Sequence, residues 1–204
     1  MKRLLMYAGS LVLIWLVLML TGLGRTQEDG LDLSGKRVAV IIADGFNYHE
    51  TVPTIDYLQK RNAEVVVTGL RLGATQPYNS PQTIEVTALV VNLDSEAFHG
   101  LHIPGGAPGT ELLRNDGDVL QFIKELNNAG KPLGAVCSGP TVLASAFVLK
   151  DKRVTAYPTY FEELPKFGAT WVTANIVEDA NIITISAPEY MNSYNAALGN
   201  ALVR

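Results

Sequence analysis

Cysteine is nearly absent from this chain of 204 residues, with Cys137 its one example. A lone thiol closes no intrachain disulfide and excludes any zinc site built from several cysteines. Histidine is scarce too. His49, His99 and His102 are too scattered to mark a metal site, so neither metal nor cofactor is expected. Basic residues are outnumbered, 16 Lys and Arg against 20 Asp and Glu, and the net charge of −4 removes the electrostatic basis for nucleic-acid binding. No internal repeat, low-complexity segment or helix-turn-helix pattern is present.

Only one long hydrophobic run exists. After Lys2 and Arg3, residues 4–24 carry no charge, a stretch of 21 residues. The apolar region of a cleavable signal runs about 7–15 residues and a membrane span needs about 20, so the length leans towards an uncleaved anchor. Gly22 and Gly24 nonetheless offer a cleavage point, and a buried core helix is the bland alternative. Anchor and signal both export the domain, leaving Lys2 and Arg3 on the cytoplasmic side. The expected division is therefore signal or anchor helix at 1–24, polar linker at 25–35 and one domain at 36–204.

That domain, in a chain 48% hydrophobic, is long enough for a well-buried core. Residues 37–43 (RVAVIIA) form an apolar run of the kind buried on both faces of a parallel sheet. A helix over 50–62 follows, with Val52, Ile55 and Leu58 on one face, Pro53 in its first turn and Asn62 at its end. A strand at 64–69 completes a βαβ unit. An antiparallel excursion is expected within 82–93, and a strand at 100–103. Helical spacing of Val119, Phe122, Ile123 and Leu126 predicts a helix over 118–129. Further strands are expected at 132–136, 154–157, 170–172, 175–177 and 182–185, with helices near 160–167 and from 189 onward. Asp116, Asp118, Glu162 and Glu163 read as solvated helix faces. The alternation defines an α/β fold, a doubly wound sandwich with a mainly parallel sheet.

In such a sheet, ligands sit at the carboxyl ends of the strands. Cys137 ends the apolar run 132–136, and Ser138-Gly139-Pro140 opens a helical stretch carrying Val142, Leu143 and Ala146. Strand, small-residue turn and helix is the pattern of a nucleophile elbow, with cysteine for serine. The helix N-terminus behind the sulfur favours thiolate. A buried structural cysteine is the alternative. Two more loops share that end of the sheet, one bearing Glu50 and one Gly105-Gly106.

The runs ADGFNYHETVP at 43–53, HIPGGAPG at 102–109 and GKPLGAVCSGP at 130–140 resemble the ThiJ/PfpI family of the class I glutamine amidotransferase-like superfamily. That family includes PfpI-type intracellular peptidases and the parkinsonism-associated deglycase. The resemblance covers residues 36–204. It implies a flavodoxin-like sandwich assembled as a dimer or larger homo-oligomer, with Cys137 as nucleophile and Glu50 as the acid at the sulfur. It places Gly105, Gly106 and the N–H of Ser138 at the oxyanion, and Tyr157 of TAYP in the pocket. Peptidase-branch members carry histidine immediately after the cysteine. Here Ser138 stands there, and His49 is the candidate replacement from a neighbouring loop. His102 is expected to be a hydrogen-bonded core residue and His99 a solvated one. Tyr48, Tyr160 and Tyr190 are further pocket candidates.

The implied activity is glyoxalase- or deglycase-like chemistry on small carbonyl electrophiles, a protonated Glu50 donating to a Cys137 thiolate. The alternatives are a PfpI-type peptidase or amidase, and a non-enzymatic redox-sensing or binding protein.

Overall fold

The structure, a computed structural model, describes residues 30–204. The expected signal or anchor at 1–24, and residues 25–29 of the linker, lie outside the described residues. Among the described residues no helix is long and apolar enough to cross a membrane.

The chain runs β1 (Arg37–Ile42), α1 (Tyr48–Gln59), β2 (Glu64–Gly69), β3 (Gly73–Thr75), β4 (Ile84–Val86), β5 (Ala88–Leu89), β6 (Gly100–Ile103), α2 (Ala107–Arg114) and α3 (Gly117–Asn128). It continues with β7 (Leu133–Val136), α4 (Pro140–Ser145), β8 (Arg153–Val154), β9 (Thr170–Trp171), β10 (Ile176–Asp179), β11 (Ile182–Ile185) and α5 (Met191–Leu202). The central sheet has seven strands in the order β10-β11-β7-β6-β1-β2-β5. All its pairs are parallel except β10–β11, which turns antiparallel through Ala180 at φ 53°. This is the doubly wound, flavodoxin-like sandwich. From β1 the chain moves outward to β2 and β5, then returns to lay β6 on the other side of β1. That reversal opens a crevice at the carboxyl ends of β1 and β6, where such sheets bind ligands.

The apolar runs become the buried strands. Successive side chains of a strand face opposite ways. Ala39 and Ile41 of β1 accordingly join the larger core, with Val119, Phe122, Ile123 and Leu126 of α3. Val40 and Ile42 face a second cluster with Phe46 and Val86. Residues 73–86 make the antiparallel excursion, β3 pairing with β4, while β5 joins the main sheet in parallel.

Several elements differ from the sequence expectation. Helix α1 starts at Tyr48, not 50, because Asn47 caps it by accepting from the His49 N–H at 3.0 Å. Pro53 therefore lies inside the helix, and the buried face is Glu50, Thr51, Thr54 and Leu58. Helix α2 was not expected. Its buried residues, Gly109, Thr110 and Leu113, give almost no apolar period. Of the strand expected at 154–157 only Val154 pairs in a ladder. Thr155 donates its N–H to Thr184 Oγ1 and Tyr157 to the Cys137 carbonyl. The expected helix at 160–167 is two 3-10 turns, Pro158–Tyr160 and Leu164–Phe167, ended by Gly168 at φ 84°.

One buried polar chain ties the sheet to both neighbouring helices. His102 in β6 is fully buried, with Nε2 3.1 Å from the Glu50 carbonyl and Nδ1 2.6 Å from the Tyr194 hydroxyl. A carbonyl only accepts, so Nε2 carries the proton and Nδ1 accepts from Tyr194. Space for that hydroxyl exists because residue 134 is glycine, where a Cβ would lie 2.1 Å from it. Exposed His99 accepts the Arg37 N–H at Nδ1, 3.1 Å away. Replacing Tyr194 with Phe strands the buried Nδ1 and is expected to cost about 1–3 kcal/mol, read as a lowered urea midpoint.

Candidate active site

The loops after β1, β6 and β7 enclose a cavity of about 550 Å³. It is lined by Asn47, Glu50, Tyr78, Gly106, Ala107, Pro108, Cys137, Ser138, Tyr157, Thr159, Tyr160, Ala187, Pro188 and Glu189. Among the described residues no group of three or more His, Cys, Asp or Glu is placed to hold a metal ion.

Cys137 ends β7 in the left-handed region at φ 57°, a conformation that a non-glycine residue keeps only under constraint. The constraint is visible on both sides. Its N–H donates to the Ile185 carbonyl at 3.0 Å, and its carbonyl accepts from Tyr157 at 2.9 Å. Pro140 then opens α4 at a position needing no N–H. The backbone N–H groups of Ser138 and Gly106 lie close enough to the sulfur to favour its ionised form.

Glu50 occupies the third helical position of α1 and is fully buried. Asn47 Nδ2 donates to its Oε1 at 2.9 Å and the Gly105 N–H to its Oε2 at 2.7 Å. The Cys137 thiol lies close beside it, near enough to favour its ionised form. Asn47 is itself held, accepting from Asn79 Nδ2 at 2.8 Å and lying 3.3 Å from the Tyr78 hydroxyl. Gly105 thus orients the acid and is not free for an oxyanion, contrary to the expectation. The open donors are Gly106 and Ser138. A Cβ on Gly105 would lie 2.7 Å from both Cys137 Cβ and Glu50 Oε2, so only glycine lets acid and thiol meet.

The electrostatics also differ from expectation. Burial pushes Glu50 up to about 7, against the pull of its hydrogen bonds. Burial, and then the Glu50 carboxylate, push Cys137 up to about 12, while the N–H groups of Ser138 and Gly106 pull the other way. Helix α4, six residues long, does not outweigh that desolvation. Burial thus works against the thiolate that the helix N-terminus favours.

Tyr157 and Tyr160 are among the residues lining the cavity, whereas Tyr48 and Tyr190 are not. His49 is exposed, packs edge-on against Tyr48 and is absent from the lining. The Ser138 hydroxyl accepts from Thr110 Oγ1 at 3.1 Å. Sequence reasoning missed Asn47, Tyr78 and Glu189. An Asn three residues before Glu50 is a readable capping signal. Tyr78 and Glu189 arrive from distant turns and give none.

An α/β sandwich carrying a buried acid against a cysteine at a strand-to-helix elbow defines a class of cysteine-centred proteins. The sequence profile of the DJ-1/PfpI family matches residues 36–200, and the chain belongs to that family. The Bacillus subtilis (strain 168) protein YraA, whose name assigns it provisionally to the cysteine proteases, is 29% identical over 82% of this chain and 98% of its own. A Pyrococcus abyssi protein named a deglycase is 30% identical over 74% of this chain and 90% of its own. Among solved structures, an Anabaena variabilis protein with DJ-1/ThiJ/PfpI-like and ferritin-like domains superposes with a TM-score of 0.80 at 25% identity. That match covers 82% of this chain and 48% of the two-domain protein, so the chain spans about half of it.

Two outcomes follow from this geometry. Gly105→Ala is expected to cost about 1–3 kcal/mol by overpacking, seen as a lower urea midpoint, with the 2.7 Å Gly105–Glu50 contact lengthened in a crystal structure. The second concerns pH. Glu50, raised from 4.5 to about 7 on folding, contributes stability that is present below 4.5 and lost as pH rises through 7. His102, pushed by burial from 6.5 to about 3, contributes stability present above 6.5 and lost as pH falls towards 3. The two oppose each other between 4.5 and 6.5. Glu50→Gln removes the first, so its urea midpoint is expected to drop more steeply than wild type between pH 7 and pH 5.

Proposed function

We propose that this protein is a cysteine-dependent enzyme acting on small carbonyl electrophiles, with glyoxalase- or deglycase-like chemistry at Cys137. The observation that carries the reading is the pairing of buried Glu50 with Cys137 across Gly105 in one cavity, each perturbing the other's titration. The relative named a deglycase supports the same class of reaction.

The charge state assigns the roles. Glu50 as carboxylate takes the thiol proton while sulfur bonds to an aldehyde carbon. The carbonyl electron pair moves to oxygen, and the N–H groups of Gly106 and Ser138 hold the resulting oxyanion. With methylglyoxal, the carboxyl protonates the oxyanion to give a hemithioacetal. As a carboxylate again, Glu50 removes the proton from the former aldehyde carbon to give an enediol, the hydroxyl proton on that carbon passes to the neighbouring ketone oxygen, and Glu50 returns its proton to the neighbouring carbon. The product is a thioester, which water cleaves to lactate and free thiol. Nothing is oxidised or reduced by an outside partner.

The name of YraA favours a second reading, peptide hydrolysis. Its proton carrier is wanting in this chain: Ser138 holds the position after the cysteine, and His49 is absent from the lining. The small-carbonyl reading asks for no such carrier. Homo-oligomer assembly, and export through residues 1–24, belong to the same proposal. The uncharged run after Lys2 and Arg3 is what supports export.

Cys137→Ala is expected to abolish conversion of methylglyoxal to lactate, and Glu50→Gln to reduce kcat by roughly 10²–10⁴-fold. In wild type, kcat/KM is expected to rise with pH through about 7 as Glu50 ionises. Undiminished turnover in the Cys137 variant refutes the reading.

A further inference from the structure

Two carboxyl-bearing residues, Glu50 and Glu189, line the cavity that holds Cys137. Glu189 lies on the exposed 3-10 turn Pro188–Tyr190, just before α5, and lines the cavity together with Glu50. The other polar side chains of the wall are phenols, hydroxyls and one amide. Among the described residues no Lys, Arg or His contributes to it. Arg114, the guanidinium whose charge reaches Tyr160, is already engaged by Glu163 and by Glu111 at 3.8 Å. Burial dominates the raised pKa of Glu50, and the Glu189 charge adds to it, so the two acids share one electrostatic space. A cleft lined by one sign of charge concentrates ligands of the opposite sign and repels those of its own.

We infer that this cavity selects by charge, admitting neutral and cationic electrophiles to Cys137 and repelling anionic ones, with Glu189 setting the preference. The substrates it fits are aldehydes and ketones that carry no carboxylate or phosphate, with or without an amine. Small oxo acids and phosphorylated sugars are the disfavoured class. The inference rests on Cys137 being the reacting atom of the cavity, as proposed above, but not on any turnover.

The test uses two alkylating agents of nearly equal size, neutral iodoacetamide and anionic iodoacetate. In each the sulfur displaces iodide and the thiol proton is released. Intact mass reads the rate without ambiguity, because the chain has one cysteine. The ratio of the two rates is taken for the folded chain and for the same chain in urea. Any change in thiol acidity acts on both reagents and cancels in the ratio.

Folding is expected to raise the preference for iodoacetamide by about fivefold, and 1 M salt to narrow it. Glu189→Gln is expected to cut the preference about threefold, and Glu189→Lys to favour iodoacetate. An unchanged ratio in both folded variants overturns the inference, as does failure of both reagents to reach Cys137. Absence of methylglyoxal turnover refutes the proposed reaction alone, because the alkylation ratio reads charge selection without any turnover.

Discussion

Everything at the site depends on keeping one carboxyl group out of water. Glu50 has no solvent contact, and a bare buried carboxylate is costly, so its oxygens must be answered from within. Asn47 and the Gly105 amide answer them, with Cys137 close beside. Burial raises both groups, so acid and thiol are each pushed towards the protonated form. Under the proposed reaction, charge separates between base and nucleophile only when an electrophile arrives.

The fold supplies the partners from three directions. Asn47 comes from the loop after β1, Gly105 from the end of β6 and Cys137 from the end of β7. These strands flank the point where the sheet reverses its winding, so their ends diverge and leave room for a ligand. The His102–Tyr194 bridge holds the backbone of Glu50 from behind. The acid is thus fixed at both carbonyl and carboxyl ends.

Much of this was legible in the sequence, for physical reasons. Strands at 100–103 and 182–185 were readable because both faces are buried, and the strand at 64–69 from its run of three valines. The four core residues of α3 were readable because their period is helical. The elbow was readable from small residues and Pro140. Other parts were not. Helix α2 turns glycine and threonine inward, and α1 buries a glutamate and two threonines, so hydropathy marks neither face. The double role of Gly105-Gly106, one glycine orienting the acid and the other facing the sulfur, depends on atoms 55 residues apart in sequence. The protonation order of the pair depends on desolvation, which local pattern does not report.

The hydrogen bond from Tyr157 to the Cys137 carbonyl has a consequence for how this scaffold diversifies. That tyrosine is sewn to the nucleophile through the main chain, so the wall it forms cannot drift without distorting the elbow. Glu189 hangs from a turn outside that seam, whereas Tyr78 touches Asn47 and through it the acid. New substrate preferences are therefore cheapest to acquire on the Glu189 turn, where a replacement leaves the backbone of the elbow in place.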